Sequence, residues 1–388
     1  MEMLNKLKAD FKRIFNTNSD EVFFSPGRVN LIGEHTDYNG GHVFPCALSF
    51  GTYGVIKKRE DNKVNMYSLN FEEVGTISFD LENITYVESD DWVNYPKGVC
   101  KIFKDHGHKL THGFDILVFG NIPNGAGLSS SASLELLMAV ILNDTFELNI
   151  DTVDLVKYSQ EAENKFVGVN CGIMDQFAIG MGKEKCAILL DCNTLKYRYS
   201  EIDMVGYSIV IGNTNKRRGL ADSKYNERRS ECERALKELQ MKLNINALGE
   251  LSEEEFEQNK ELITNEIDRK RAKHAVYENQ RTLKAVSALE ENNLPLFGQL
   301  MVQSHVSLRD DYEVTGIELD TLVNFALKQE GVIGARMTGA GFGGCTVSIV
   351  KDECVGSFIE NITNGYEEKI GYKPTFYVAH ISNGSRKL

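Results

Sequence analysis

The sequence predicts a soluble chain of mixed helices and strands, organised as two or three domains. Three observations carry this. The stretch from Phe114 to Glu135 couples a β-branched, aromatic strand to a glycine loop and then to an apolar helix. The length, 388 residues, is more than twice the ~150 residues of a common domain. The texture also changes near Glu201 to Met204: short strands and helices alternate before it, whereas Asp222 to Asn293 is charged and helix-forming. A boundary is therefore placed there, dividing residues 1–203 from 204–388.

Taken in order, Leu4, Leu7, Phe11, Ile14 and Phe15 recur at helical spacing and open the chain with an amphipathic helix. Val22 to Phe24 is a short strand that Ser25-Pro26-Gly27 should end. Arg28 to Gly41 follows, dense in charge, histidine and glycine. Phe50 to Lys57 and Val64 to Ser68 read as strands around the polar turn Arg59 to Asn62, and Gly75 to Phe79 alternates like another. A helix over Val93 to Asp105 precedes the strand Phe114 to Ile122. Beyond Leu128, the residues Ala132, Leu134, Leu136, Leu137, Met138, Val140 and Ile141 are apolar on nearly every side, so that helix should be buried. Asp151 to Phe166 is helical again, and its Glu161 and Glu163 point to nearly opposite faces. Gly172 breaks the chain within Val169 to Phe177. Ala187 to Leu190 and Tyr207 to Gly212 are strands. Arg269, Lys270, Arg271 and Lys273 form a basic run, but Glu266 and Asp268 precede it, which points to a solvent-facing helix and not a nucleic-acid patch. Leu319 to Gln329 is a helix and Cys345 to Val350 a strand.

Strand, glycine loop and serine-rich helix start together have the layout of an anion site. Unpaired backbone N–H groups and the positive end of the helix dipole point at whatever sits over Gly125 to Ser131. The plain alternative is that Ser129, Ser130 and Ser131 only cap a core helix. The loop is neither a Walker A motif, since no lysine lies between Gly120 and Asn143, nor a dinucleotide fingerprint, since Ser130 stands at the third glycine. Gly339-Ala-Gly341-Phe-Gly-Gly344 matches GxGxxG in form, but Cys345 to Val350 continues it as a strand, not a helix. It is better read as a glycine turn that lets backbone approach another loop or a phosphate.

Composition narrows the function classes. A formal net charge of -13 argues against non-specific nucleic-acid binding and against an anionic membrane surface. The eight cysteines show no CxxC pair, so buried thiols in a reducing, cytoplasmic setting are expected. The N-terminus carries Glu2, Lys6, Lys8 and Asp10, unlike a signal peptide, and the apolar run Leu136 to Leu142 is too short to span a membrane.

Three segments now combine: Pro26 to Tyr38 (PGRVNLIGEHTDY), Gly125 to Ser133 (GAGLSSSAS) and Thr338 to Gly344 (TGAGFGG). In that order they resemble the three motifs of the GHMP small-molecule kinases. The first is similar to the galactokinase signature of that family, as is Cys171-Gly-Ile-Met-Asp-Gln176. The resemblance implies an α+β fold of two domains, ribosomal-S5-like at the N-terminus and ferredoxin-like at the C-terminus, with the site in the cleft between them. It implies transfer of phosphate from ATP to the anomeric hydroxyl of α-D-galactose with Mg2+, the first committed step of galactose catabolism, by a cytoplasmic monomer. Arg28 and Asp175 would be the catalytic pair. Glu34, His35, Thr36, Asp37, Gly172 and Tyr225 would bind the sugar. Gly125, Ala126, Gly127, Leu128, Ser129, Ser130 and Ser131 would hold the phosphates, with Ser68 near the nucleotide, and Ser131 and Glu163 would hold the Mg2+.

A sugar offers only hydroxyls, so fixed charged acceptors and donors such as Glu34, His35 and Asp37 suit it. The ordinary fate of such residues is loop solvation or capping, but here they cluster beside Arg28 between glycines. Mg2+ needs only one or two protein ligands beside phosphate and water. Two other readings are a sensor of galactose and ATP on the same fold, and an N-acetylgalactosamine kinase. The intact Ser129 to Ser133 and Asp175 count against the sensor.

Overall fold

The computed structural model describes residues 2–122, 127–202, 204–216 and 221–388, excepting the side chains of 221–223. The helices are α1 (Glu2–Phe15), α2 (Asn94–Asp105), α3 (Ser130–Thr145), α4 (Thr152–Ala162), α5 (Met174–Met181), α6 (Ala221–Gln240), α7 (Glu253–Asn259), α8 (Glu266–Glu290), α9 (Leu294–Asp310), α10 (Gly316–Ala326) and α11 (Val355–Ile370). The strands are β1 (Glu21–Asn30), β2 (His42–Val43), β3 (Pro45–Lys58), β4 (Lys63–Ser68), β5 (Ile77–Asp80), β6 (Phe114–Gly120), β7 (Cys186–Asp191), β8 (Tyr197–Glu201), β9 (Tyr207–Asn213), β10 (Val332–Thr338), β11 (Cys345–Lys351), β12 (Thr375–Ala379) and β13 (Arg386–Lys387).

A six-stranded sheet in the order β13-β1-β3-β6-β4-β5 carries the first half, and it is antiparallel except where β4 meets β6. Its strands alternate with period two, and each face finds a helix layer. Val22, Val55 and Leu117 pack under α1 with Leu7 and Phe11. Their neighbours Phe23, Ile56, Ile116 and Val118 face α2 and α3. At about 1.5–3 kcal/mol per buried side chain, such contacts hold the helices to the sheet. The all-round apolar α3 is enclosed as its sequence predicts, with Leu134, Leu137 and Ile141 in one cluster and Ala132 and Leu136 in another.

β1 does not stop at Ser25-Pro26-Gly27. It runs on to Asn30, and its register against β3 shifts between Pro26 and Arg28. Proline has no N–H to give, and a bulge is where a strand can absorb it. The bulge lets the Arg28 N–H reach the Leu128 carbonyl at 3.2 Å, tying β1 to the glycine loop.

A second sheet, β10-β11-β9-β12, lies wholly after residue 206. One face packs on α10 and α11 through Val210, Leu322, Ala335 and Phe358. The other face, through Ile209, Ile211 and Val347, joins Val29, Leu31 and Phe44 of the first half and Val286 and Met301 of α8 and α9 in one continuous core. The two halves therefore share buried surface. The basic run in α8 departs from expectation. Lys270 is exposed, but Arg271 is buried, donating to Glu231 at 2.9 Å and to Glu313 at 2.9 Å. Among the described residues no helix is long and apolar enough to cross a membrane.

Candidate active site

A cleft of about 450 Å³ opens where the bulge of β1, the start of α3, the start of α5, the first turns of α6 and the turn between β10 and β11 meet. Arg28, Glu34, His35, Asp37, Gly127, Ser129, Ser130, Ser131, Glu163, Gly172, Asp175 and Tyr225 all line it. They come from segments spread over almost 200 positions.

Arg28 and Asp175 form a two-pronged ion pair: Nε donates to Oδ1 at 2.7 Å and Nη2 to Oδ2 at 2.8 Å. The third nitrogen, Nη1, donates to the Gly127 carbonyl at 2.8 Å. Burial would lower the Arg28 pKa, but the Asp175 charge and its hydrogen bonds raise it, so the guanidinium stays charged. Such fork-on-fork pairs fix geometry as well as charge. Asp175 sits in the first turn of α5, and its side chain keeps 30% of its exposure. Ser129 is the cap of α3, yet its backbone is left-handed (φ 64°) and its side chain caps nothing. Its hydroxyl instead donates to Asp175 Oδ2 at 2.5 Å. Capping is thus not what this serine does.

Glu34 is almost fully buried, and Oε1 accepts from Thr338 Oγ1 at 3.0 Å and from the Gly339 N–H at 2.8 Å. Gly339 has φ 86°, a conformation that glycine takes freely. His35 Nδ1 lies 2.8 Å from the Tyr38 hydroxyl, while Nε2 is buried without a hydrogen bond of full geometry, with the Ala340 backbone beside the ring raising its pKa slightly against burial. Burial, with His274 beside it, pulls the ring pKa down to about 3, so the imidazole is neutral. Tyr225 packs its ring 5.8 Å from His35 and 5.4 Å from Tyr38. Gly172 lies against the Asp37 carboxylate so closely that a Cβ there would force Oδ2 to move.

Asp37 carries a pKa raised to about 7, first by burial and then by the Asp175 charge. The folded protein therefore holds a proton on Asp37 that the unfolded chain releases above about 4. That contribution to stability is complete below the unfolded value and lost as pH rises through about 7. Asp37→Asn should flatten this fall and raise the ligand-free Tm at pH 8 by about 2 °C. Calorimetry at pH 5 and pH 8 measures it, and equal slopes for parent and variant would contradict it.

Glu163 opens a π-helical turn at the end of α4. Its Oε2 accepts from Gln176 Nε2 at 2.6 Å, and the same amide donates to Glu135 Oε2 at 3.0 Å. Burial raises the pKa of Glu163 to about 7, with the Asp175 charge adding to it, while Cys171, Gln176 and Ser131 pull it back. Glu135 is pushed well up by burial and by Glu163, and its Oε1 has no partner. Glu161 faces out and pairs with Lys165 at 2.7 Å.

Not every candidate reaches the cleft. Thr36 Oγ1 is buried between the carbonyls of Gly33 and His42, where it shapes the loop. Ser68 ends β4 and accepts the Asn70 N–H at 3.1 Å, away from the cleft lining. Leu128 is buried and offers its carbonyl to Arg28. Gly125 and Ala126 lie outside the described residues. Sequence reasoning gave no role to Glu135, Gln176 or Thr338. A glutamate flanked by leucines inside an apolar helix was the available signal for the first, because such a group is buried only with a purpose or a partner.

Comparison with known proteins gives the family. Residues 9–58 match the galactokinase galactose-binding signature, 94–183 the GHMP kinases N terminal domain and 285–363 the GHMP kinases C terminal model. Galactokinases of Clostridium beijerinckii and Clostridium acetobutylicum are 69% and 65% identical, each over all of both chains. The crystal structure of Lactococcus lactis galactokinase complexed with galactose superposes with a TM-score of 0.97 at 52% identity, covering all of both chains. This chain belongs to the galactokinase family of the GHMP kinases.

Proposed function

We propose that the protein transfers the γ-phosphoryl group of ATP to the anomeric hydroxyl of α-D-galactose, giving galactose 1-phosphate and ADP. The observation that carries this is the Arg28–Asp175–Ser129 cluster, set in one cleft between the polar loop Glu34 to Asp37 and the start of α3. Glu34, His35, Asp37 and Tyr225, with the Gly172 backbone, hold the sugar. Asp175 orients the anomeric hydroxyl and accepts its proton, and Arg28 places Asp175 and offers positive charge to the developing phosphoryl group. Phosphoryl transfer passes through a loose transition state, so positioning and charge stabilisation supply most of the catalysis. The N-terminus of α3, from Gly127 to Ser131, presents N–H groups to the phosphates.

Oxygen donors at the Glu163 end of the cleft fit Mg2+. Two buried carboxylates held partly neutral, one with an unpartnered oxygen, gain from a dication nearby. Ser131 and Glu163 would hold the ion, which when bound shields phosphate charge. Ser131→Ala should raise the Mg2+ concentration needed for half-maximal ATP use by roughly tenfold, while galactose binding, read by calorimetry, stays within about twofold. An unchanged Mg2+ requirement would remove Ser131 from the ion. The whole reading is tested by a coupled ADP-release assay with Mg-ATP and a panel of free sugars, in which galactose should be the preferred acceptor. Galactose binding with no ADP release would favour a sensor instead.

A further inference from the structure

Behind His35, on the side away from the cleft, runs a line of hydrogen bonds into the second half of the chain. His35 Nδ1 lies 2.8 Å from the Tyr38 hydroxyl, which lies 2.8 Å from the Tyr312 hydroxyl, which lies 3.2 Å from Cys232 Sγ. Tyr312 and Cys232 are buried, and Tyr38, Tyr312 and Cys232 are all absent from the cleft lining. We propose that this line fixes His35 as the tautomer protonated at Nε2, so that the ring meets the sugar as a hydrogen-bond donor. The proposal rests on the reading that His35 contacts galactose.

The direction follows from counting protons. His274 packs at 4.5 Å from the Tyr312 ring and gives its Nε2–H to the Glu34 carbonyl at 3.1 Å, since a carbonyl can only accept. His35, packed beside Tyr312, carries a single proton because burial keeps it neutral. Were that proton on Nδ1, Tyr38 would donate to Tyr312, and Tyr312 would donate to the Cys232 sulfur, the weakest acceptor in the line. Nε2 would then be left as a buried acceptor with nothing to accept from. With the proton on Nε2, the thiol donates to Tyr312, Tyr312 to Tyr38, and Tyr38 to an imidazole nitrogen, which is a strong acceptor. Every proton in the line is then used, and the single donor left over is Nε2–H, which makes no hydrogen bond of full geometry in the ligand-free protein and has the Ala340 backbone of the cleft lining beside its ring. Tyr38 and Tyr312 are therefore positioning residues: they act on the sugar through His35.

The test labels the full-length protein with [15N]histidine and reads the His35 tautomer by long-range 1H–15N correlation without ligand, alongside kinetics. The parent should show a proton on Nε2 and none on Nδ1. Tyr38→Phe keeps the ring but removes the donor. It should shift His35 towards Nδ1 protonation and raise the KM for galactose about tenfold or more, with the KM for ATP unchanged. Cys232→Ser retains a donor at the end of the line and should leave both readouts as in the parent. A parent proton on Nδ1 overturns the proposal. So does a raised KM with an unchanged tautomer, or a changed tautomer with an unchanged KM. If Tyr38→Phe does not fold, the parent tautomer alone decides. Failure of the parent to phosphorylate galactose would sink the kinase reading instead, and the tautomer measurement does not depend on it.

Discussion

Galactose should be phosphorylated with a kcat/KM about 10⁴-fold above that for glucose. The two sugars differ only in the orientation of the hydroxyl at C4. The groups proposed to hold the sugar are already placed: buried Glu34 by Thr338 and Gly339, buried His35 by Tyr38, and half-buried Asp37 against Gly172. A hydroxyl that points elsewhere leaves one of these groups desolvated and unpaired, and none can swing to follow it. An apolar pocket, by contrast, discriminates a methylene by only ~10–200-fold. Initial rates for both sugars at saturating Mg-ATP measure the ratio. Comparable kcat/KM values would remove galactose specificity while leaving a sugar kinase.

The second large effect is at Asp175. Asp175→Asn should lower turnover by roughly 10²-fold or more, the usual contribution of a positioned general base. The substitution keeps the size of the side chain but gives up one carboxylate oxygen of the two that Arg28 grips at 2.7 and 2.8 Å and the charge that Ser129 donates to. ATP should still bind, because Gly127 to Ser131 and Glu163 are untouched, and a nucleotide titration separates that from the loss of chemistry. Turnover near that of the parent would take Asp175 out of the mechanism.

How far the sequence foretold these features depends on the range of the interaction. Local patterns were legible: α1 from its amphipathic spacing, α3 from its unbroken apolar character, and the break at Gly172 before α5. The strands β2, β8, β10, β12 and β13 were not: β2 and β13 have two residues each, and β8 is largely exposed and shows no clear inward face. Proline misled the reading of β1, since a bulge depends on the partner strand and not on the segment itself. Arg271 misled in the same way: its carboxylate partner Glu231 lies 40 positions earlier. The resemblance gathered the residues that line the cleft, but it could not show that Thr36 and Ser68 turn away from it. Nor could it show that a hydroxyl and a backbone N–H hold Glu34, and that the Gln176 amide holds Glu163.

The grip on Glu34 bears on how the molecule assembles. Its partners Thr338 and Gly339 lie 304 and 305 positions further along the chain. Closing so long a loop is a late event compared with local helix formation. A polypeptide ending before β10 can still pair Arg28 with Asp175 and set Asp37 against Gly172, yet its Glu34 carboxylate lacks Thr338 and Gly339 to hold it. With Glu34 in the sugar-binding role proposed for it, full affinity for the sugar should be acquired only when both halves have docked. Once they have, saturating galactose stabilises them jointly, by about 2.7 kcal/mol at a hundred times its Kd. The substrate thus works as a clamp on the completed fold, and its binding reports native assembly of the whole chain more faithfully than any signal from a single helix.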